Sequence, residues 1–358
     1  MKTQRWIEGL SLCLTAGVAA GAALCRFFPL YIHDFMLGSS LTALLLAGSM
    51  LCQYPRGGAK AFPVLFLLGV LCFMTDALAP QRCVEVSWAA AAARQLRTFI
   101  SGLPFPHGQT APLLCALLTG DRSGLSRESI AAFRLSGASH LLALSGLHIG
   151  IIYTVFSRSL SVLGNGPVAR YLRIAVTVPA ALFFTVMTGA GPSIVRAFLF
   201  ISLSELSRLL ERKRDPLKIF ATALLVQLLV TPSVVTSVGF QLSYAAMLGI
   251  TLFFPVLRSW WPTDGRKRNP VQAVWETAAL SISCQTTTAP IAWMYFHTFP
   301  RYFLITNLLA IPLTTGIIVL GIGTIALAAV GSCPVWLLMA TDTCATALTR
   351  LLELIAML

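Results

Sequence analysis

About eleven apolar stretches, each long enough to cross a bilayer, constrain the fold of this chain more than any other feature. A transmembrane helix needs about 20 apolar residues, because the hydrocarbon core is about 30 Å thick and a helix rises about 1.5 Å per residue. The stretches of this kind lie near residues 8–28, 35–53, 61–79, 138–158, 171–189, 192–211, 217–235, 239–257, 272–293, 302–330 and 333–357. Hydrophobic residues make up 56% of the 358 residues and charged residues 11%, which is outside the range of soluble globular domains. We therefore predict an all-α polytopic membrane protein with about eleven transmembrane helices.

The basic residues predict how these spans are oriented. Lysine and arginine accumulate in cytoplasmic loops, and here they fall at alternate ends of successive spans. The clusters assigned to the cytoplasmic face are Lys2 with Arg5, Arg56 with Lys60, Arg158 with Arg170 and Arg173, residues 211–218 (ERKRDPLK), and Arg258 with residues 266–268. The alternation predicts a cytoplasmic N-terminus and, with an odd number of spans, an external C-terminus. Such loops are the first explanation of the net charge of +13, which by itself does not indicate a nucleic-acid partner.

Residues 81–137 separate the third span from the fourth. Within them, residues 87–103 and 109–119 read as helices too short to span, which predicts external interfacial helices that lie at the membrane surface or pack on the bundle. Residues 120–123 (GDRS) read as a turn, and Ser126 is placed to cap the helix that follows. Asp121 is predicted to have a structural role, closing this turn or pairing with Arg122 or Arg134, with a metal ligand as the alternative.

The segment 137–150 (GASHLLALSGLHIG) is apolar enough for a bilayer yet carries His140, Ser145 and His148. Polar groups in the hydrocarbon region must be satisfied by protein or by a water-filled cavity, so this segment is predicted to line a path, with broken or re-entrant backbone. On one continuous helix, Ser145 and His148 would share a face. The alternative interpretation is that the two imidazoles and the hydroxyl only form hydrogen bonds with neighbouring helices.

Other chemistries of this segment are less favoured by its residues. Two histidines eight residues apart, with no Asp, Glu or Cys between them, do not have a usual metal-ligand spacing. With Ser145 at its centre, a serine hydrolase elbow, G-x-S-x-G, needs glycine at position 143 and allows any residue at position 144. The chain has Ala143 and Leu144 at these positions, so the elbow is absent. The nine cysteines of the chain contain no C-x-x-C pair, so neither a metal cluster nor a disulfide framework is predicted. No cofactor and no catalytic residue are expected.

Polar residues interrupt four later spans, most of them near the external end. They are Arg196 in the run after Gly189, Gln241 in GFQLSY, the hydroxyl-rich residues 281–288, and Asn307 in the tenth span. An arginine inside a span costs about 2.5–3.5 kcal/mol on insertion scales unless it snorkels or faces water. Several such helices together predict one hydrated cavity. The predicted substrate path is made by His140, Ser145, His148, Arg196, Gln241 and Asn307.

At these residues the chain resembles the ComEC family of competence proteins. The matching blocks, in family order, are LLTGDRSGLS (117–126), FRLSGASHLLALSGLHIG (133–150), PSIVRA (192–197), GFQLSYAAMLGI (239–250), QTTTAPIAW (285–293) and NLLAIPL (307–313). The resemblance divides the chain into N-terminal transmembrane helices (1–80), external interfacial helices (81–137) and a competence-type transmembrane channel core (138–358).

The resemblance implies a channel of the bacterial inner membrane that imports single-stranded DNA during natural transformation, without enzymatic activity of its own. It implies as partners single-stranded DNA, membrane lipid, an external DNA receptor, a separate nuclease and a cytoplasmic ATP-driven translocase. No Walker A motif occurs in the chain, so energy must come from a partner or a gradient. In such a channel, Arg196 and the external arginines would attract phosphate. Those arginines are Arg94, Arg97, Arg122, Arg127 and Arg134.

The chain also departs from the family. Long members carry an external OB-like domain and a metallo-β-lactamase-like domain, but residues 80–110 leave no room for the first and the 358 residues contain no H-x-H-x-D-H motif of the second. Strand degradation is therefore not implied. If the sequence is complete, it is the membrane core alone, and if it is a fragment, further domains lie beyond it. The alternative function is a small-solute or lipid-linked substrate transporter, or less favourably an intramembrane hydrolase, since a carrier needs only a closed midplane pocket.

Overall fold

The computed structural model describes residues 15–19, 69–70, 87–164, 166–211, 215–261, 270–297 and 301–357, and these residues are almost entirely helical, with no strand among them. Twelve α-helices follow one another from residue 87 onward in this part of the chain. They are α1 Ser87–Ser101, α2 Thr110–Thr119, α3 Arg127–Leu135, α4 Ser139–Leu142, α5 Gly146–Ser159, α6 Pro167–Met187, α7 Pro192–Leu209, α8 Pro216–Val230, α9 Val238–Ser259, α10 Pro270–Phe296, α11 Phe303–Ala329 and α12 Val335–Ala356. The predicted all-α class is confirmed for the described residues.

The membrane spans are confirmed only in part. Three described helices are both long and apolar enough to cross a bilayer, and they are Val168–Met187, Val238–Ser259 and Phe303–Ala329. The spans predicted near 8–28, 35–53 and 61–79 lie almost wholly outside the described residues. The total of about eleven spans therefore stays a prediction.

The span predicted at 138–158 is not one continuous helix. The backbone leaves the helical conformation at Ala143 (φ −72°, ψ 123°) and is extended at Ser145 (φ −123°, ψ 169°), which separates the four-residue α4 from the 14-residue α5. Ser145 stands at the N-cap position of α5, where serine favours a helix start over helix continuation. The sequence predicted broken backbone here, and the break precedes Gly146.

The chain forms two compact units, each made from segments that are distant in sequence. The first combines residues 1–84 with 202–247, and the second combines residues 85–201 with 248–358. In the first unit, Tyr244 packs against Phe220 and Phe240, with ring centroids 5.7 and 4.5 Å away. The Tyr244 hydroxyl donates to Gln227 Oε1 at 2.9 Å, so this buried polar pair is satisfied within the apolar cluster.

The core of the second unit is built around α2. This helix is only ten residues long, yet Leu113 through Thr119 are all buried, and the helix packs against α1, α11 and α12. A helix that is apolar on every side has to be surrounded by protein or lipid. Two close helix crossings occur in this unit, because a Cβ at Gly321 of α11 would collide with Leu114 and a Cβ at Gly249 of α9 would collide with the Ser283 carbonyl.

Candidate functional site

Ser145 and His148 meet at the start of α5 through helix capping. The Ser145 backbone N–H donates to His148 Nδ1 at 3.2 Å, and the Ser145 hydroxyl lies 3.0 Å from the same nitrogen. His148 thus takes the place that glutamate or glutamine holds in a capping box. Since Nδ1 accepts a backbone N–H, the imidazole is neutral and its proton is on Nε2. The contact arises from the extended conformation of Ser145, not from two residues sharing a helical face.

Arg196 lies directly over the first residue of α5. Its Nη2 is 3.2 Å from the position that a Cβ at Gly146 would occupy, and Ala197 Cβ is equally close. The helix that carries Arg196, α7, begins after a sharp turn with positive φ at Gly189 (84°) and Ala190 (50°). Arg196 is therefore one turn into α7, as the sequence predicted, and the absence of a side chain at Gly146 gives the guanidinium its place.

Two further predicted path residues of the second unit, His140 and Asn307, each lie near the beginning of a helix. His140 is exposed, and its Nδ1 lies 3.2 Å from the Gly137 carbonyl. Asn307, in the first turn of α11, is half-buried, and its Oδ1 is buried without a hydrogen-bond partner among the described residues. The preceding residue, Thr306, donates to the Ser136 carbonyl at 2.9 Å, which fixes the end of α3 against the beginning of α11.

Gln241 belongs to the first compact unit. Its Nε2 donates to the Val235 carbonyl at 2.9 Å, across the turn that precedes α9. The convergence of all six predicted residues on one cavity stays a prediction.

Asp121 closes the turn after α2 and also holds an arginine. Its Oδ1 accepts from the Ser123 backbone N–H at 3.0 Å, and its Oδ2 pairs with the Arg97 guanidinium of α1. These hydrogen bonds, the Ser123 backbone bond first, hold the pKa of the Asp121 carboxyl below its ordinary value. The sequence suggested Arg122 or Arg134 as the partner, whereas the structure provides Arg97. The charge of Arg97 is therefore partly neutralised, and Arg94, Arg122, Arg127 and Arg134 are the exposed cations of this segment.

A second polar cluster was missed in the sequence. Asp342 is buried in α12, and its Oδ1 accepts from the His107 backbone N–H at 3.1 Å and from Thr110 Oγ1 at 2.6 Å. Its Oδ2 contacts His107 Nδ1. An acidic residue in the middle of an apolar helix is a signal that a partner exists, but the partner lies 235 residues away in the sequence. No group of three or more His, Cys, Asp or Glu residues in the described part of the chain is placed to hold a metal ion.

Two known proteins resemble this chain over 56% and 60% of its length. It is 26% identical over 200 residues to ComE operon protein 3 of Bacillus subtilis (strain 168), a match covering 56% of this chain and 24% of that protein. It is 25% identical over 224 residues to the uncharacterised protein YcaI of Escherichia coli (strain K12), which covers 60% of this chain and 28% of that protein. The chain thus spans about a quarter of the length of these relatives. No solved structure matches.

The match to a protein family covers the site described above. The competence protein family matches residues 117–358, from the end of α2 through α12. This range contains Asp121, the broken segment at Ala143–Ser145, Arg196, Asn307 and Asp342, and it makes up more than half of the chain. The resemblance seen in the sequence is therefore confirmed, and the chain belongs to the competence protein family.

Proposed function

We propose that this chain forms part of a conduit that carries single-stranded DNA across the bacterial cytoplasmic membrane, with the starts of α5 and α7 at its external mouth. The observation that carries the proposal is the guanidinium of Arg196 against Gly146, the first residue of α5. Membership of the competence protein family supports it, and so does the similarity to ComE operon protein 3.

The arrangement suits the capture of phosphate. The first N–H groups of a helix have no partner within the helix and carry a partial positive charge, which favours anions. Beside them, an arginine offers planar paired donors that match two phosphate oxygens. Neither group reads a base, so the site would bind any sequence and would weaken as salt concentration rises.

The environment of Arg196 keeps its charge near the mouth. The residue is half-buried and lies one turn into α7, so its backbone position is set by the helix. A charge at this depth is costly in lipid unless it reaches water. The predicted topology places the start of α7 outside, where an aqueous mouth would receive it.

The same residues support the hypothesis of an intramembrane serine hydrolase less well. A serine nucleophile needs an accessible hydroxyl and a histidine free to take its proton. His148 is fully buried, and the nitrogen that faces Ser145 already receives a backbone N–H. The Ser145–His148 contact is best explained by the need to start α5 after the chain break.

The decisive experiment compares Arg196→Lys and Arg196→Gln for uptake and for binding. Lysine keeps the charge but loses the paired donors, so we expect partial uptake of labelled DNA, while glutamine should abolish nearly all of it. In purified protein, Arg196→Gln should reduce the slope of log K against log salt for single-stranded DNA by about 0.7, the value for one lost phosphate contact.

The matched control is Arg158→Gln, at the other end of α5. Arg158 is exposed in the last turn of α5, so its loss removes an equal charge from the end of α5 opposite to the one that Arg196 of α7 contacts. Uptake and salt slope should then match the unchanged protein at equal membrane levels. Wild-type uptake in Arg196→Gln would reject the conduit mouth and favour a small-solute transporter.

A further inference from the structure

Two contacts in the second unit define the course of α1 and α2. Trp88, at the beginning of α1, stacks on Phe183 near the end of α6, with ring centroids 5.7 Å apart. From there α1 runs for 15 residues, a length of about 22 Å. It packs against α2 with Cys115 Sγ 4.0 Å from the Arg97 carbonyl oxygen. The two helices therefore form an antiparallel hairpin whose tip is residues 102–109.

The tip lies far along α11 from the point where that helix begins. Thr306, at the start of α11, contacts the Ser136 carbonyl, whereas Thr324 of α11 lies 3.2 Å from Thr341 of α12. Thr341 is followed directly by Asp342, which holds His107 and Thr110. The 18 residues from Thr306 to Thr324 correspond to about 27 Å of helix, close to the roughly 30 Å thickness of a hydrocarbon core.

The entry and exit of the hairpin lie on the side where α11 begins. Chain connectivity within the unit places the end of α6 and the beginning of α5 on one side, because α5 and α6 are packed and joined by a short turn. Ser136 and Thr306 join the beginning of α11 to that side. Trp88 on Phe183 marks the same side for the start of α1.

The tip residues are exposed, although the tip lies far from the side where α11 begins. Gly102, Pro104, Pro106 and Gly108 are exposed, and the side chain of His107 is 59% accessible. Irregular backbone cannot face lipid, because its N–H and C=O groups would lack partners. The tip must therefore meet water, and its distance from the entry side places that water at the opposite membrane face.

We propose that residues 87–119 form a re-entrant hairpin that enters the membrane from the external side, reaches the cytoplasmic face with its tip and is fastened there by Asp342. The inference goes beyond the proposed function, because it does not depend on what the protein transports. It also replaces the expectation that residues 81–137 lie as a whole at the external surface. Asp342 acts as the fastening residue because one carboxylate holds the backbone and side chain of His107 together with the Thr110 hydroxyl.

Cysteine accessibility tests the course of the hairpin. A cysteine at Gly108 fits, since nothing lies within 4 Å of an added Cβ, and Ser139→Cys marks the exposed entry side beside Ser136. A membrane-impermeant maleimide should label position 139 in intact cells and position 108 only in inverted vesicles. The native protein has nine cysteines, so the labelled peptide is identified by mass spectrometry. Labelling of both positions from one face, or no labelling of position 108 from either, would overturn the proposal.

The labelling rate of the native Cys115 tests whether Asp342 holds the hairpin in place. Cys115 lies on α2 and is 8% exposed, so a permeant thiol reagent should reach it only when the hairpin moves. Asp342→Ala should raise its labelling rate about tenfold, the factor expected when charge-assisted hydrogen bonds to a buried carboxylate are lost. Thr343→Ala, an exposed neighbour on α12, should leave the rate unchanged.

If Asp342→Ala fails to accumulate in the membrane, His107→Ala provides the same test. It removes only the imidazole contact and leaves the backbone and Thr110 bonds to Asp342 in place. A rise of about threefold is expected, since one hydrogen bond among several is lost. An unchanged Cys115 labelling rate in a variant present at normal membrane levels would reject Asp342 as the fastening residue.

Discussion

At Gly146, a single hydrogen atom stands where any other residue would place a carbon against the guanidinium of Arg196. The position that a Cβ would take is 3.2 Å from both Arg196 Nη2 and Ala197 Cβ, closer than carbon atoms usually approach. Gly146→Ala should therefore shift the Arg196 guanidinium at the start of α5 by a few tenths of an ångström. Binding of single-stranded DNA should fall, but by less than in Arg196→Gln because the charge remains, while membrane levels stay normal because alanine favours a helix over glycine by about 1 kcal/mol.

The control for this change lies four residues further along the same helix. An added Cβ at Gly150 meets nothing within 4 Å, so Gly150→Ala gives the same gain in helix propensity without touching Arg196. It should bind DNA like the unchanged protein and be at least as stable. Equal binding by both alanine variants would mean that the placement of Arg196 over Gly146 has no role in capture.

Asp121 gives the turn after α2 a dependence on pH. Because the pKa of its carboxyl is lowered on folding, its stabilising effect is complete above the ordinary value of about 4 and is lost as pH falls through the lowered pKa. The difference in melting temperature between the unchanged protein and Asp121→Asn in detergent should be constant from about pH 5 to 8 and should shrink below about pH 4.

The partner of Asp121 can be identified in the same assay. Arg97→Gln should reproduce part of the loss seen in Asp121→Asn, since the ion pair joins α1 to the turn. Arg122→Gln should not, because Arg122 is exposed beside the turn. A larger effect of Arg122→Gln would contradict the pairing with Arg97.

Single residues were predictable where the signal is local. Arg196 stood out as a charge in an apolar helix, and Ser145 and His148 as neighbours three residues apart. The way in which Ser145 and His148 meet was not predictable from helical spacing, because an extended residue before the helix produces the contact. The Asp342 cluster joins positions 235 residues apart, a distance at which sequence alone gives no indication of pairing.

Among the helices, α2 shows how close packing depends on one glycine. A Cβ at Gly321 would collide with the side chain of Leu114, so Gly321→Ala should force α2 and α11 apart and cost about 1–3 kcal/mol of stability. Its melting temperature in detergent should drop. Adding Leu114→Ala to Gly321→Ala should recover part of the loss from overpacking, although Leu114→Ala alone destabilises the core.

Gly316→Ala is the control for Gly321→Ala. It lies on the same helix, and an added Cβ there makes only an ordinary contact with Cys344 Sγ at 3.9 Å. We expect no loss of melting temperature. If both changes had the same effect, the crossing of α2 and α11 at Gly321 would not explain the loss.

The sequence predicted which segments are helical more easily than how deeply each helix is buried. The segment 109–119 was too short to span and was therefore predicted to lie at the membrane surface or to pack on the bundle, and its residues are apolar on all sides. That pattern describes a helix enclosed by others, and α2 is indeed buried and packed against α1, α11 and α12. The length of a helix indicates whether that helix can cross a bilayer alone. It does not indicate whether a hairpin of two short helices can enter the bilayer.

For the whole molecule, the family and the helical class followed from the sequence, and the division into compact units did not. The matching sequence blocks and their order were sufficient for the resemblance that the family match confirms. The predicted division at residues 80 and 137 assumed continuous segments and stays a prediction. The compact units instead combine residues 1–84 with 202–247 and 85–201 with 248–358, and such pairing of distant segments has no signature in a hydropathy pattern.

The separation between His107 and Asp342 has a consequence for how the protein is made. The ribosome adds about 5–20 residues per second, and 235 residues separate the two partners, so His107 leaves the ribosome roughly 10 to 50 seconds before Asp342 exists. For most of that interval neither α11 nor α12 has been synthesised, although the apolar surface of α2 requires cover. Insertion of the hairpin is therefore expected to be a late step of biogenesis, completed only after Asp342 and the rest of α12 have been synthesised.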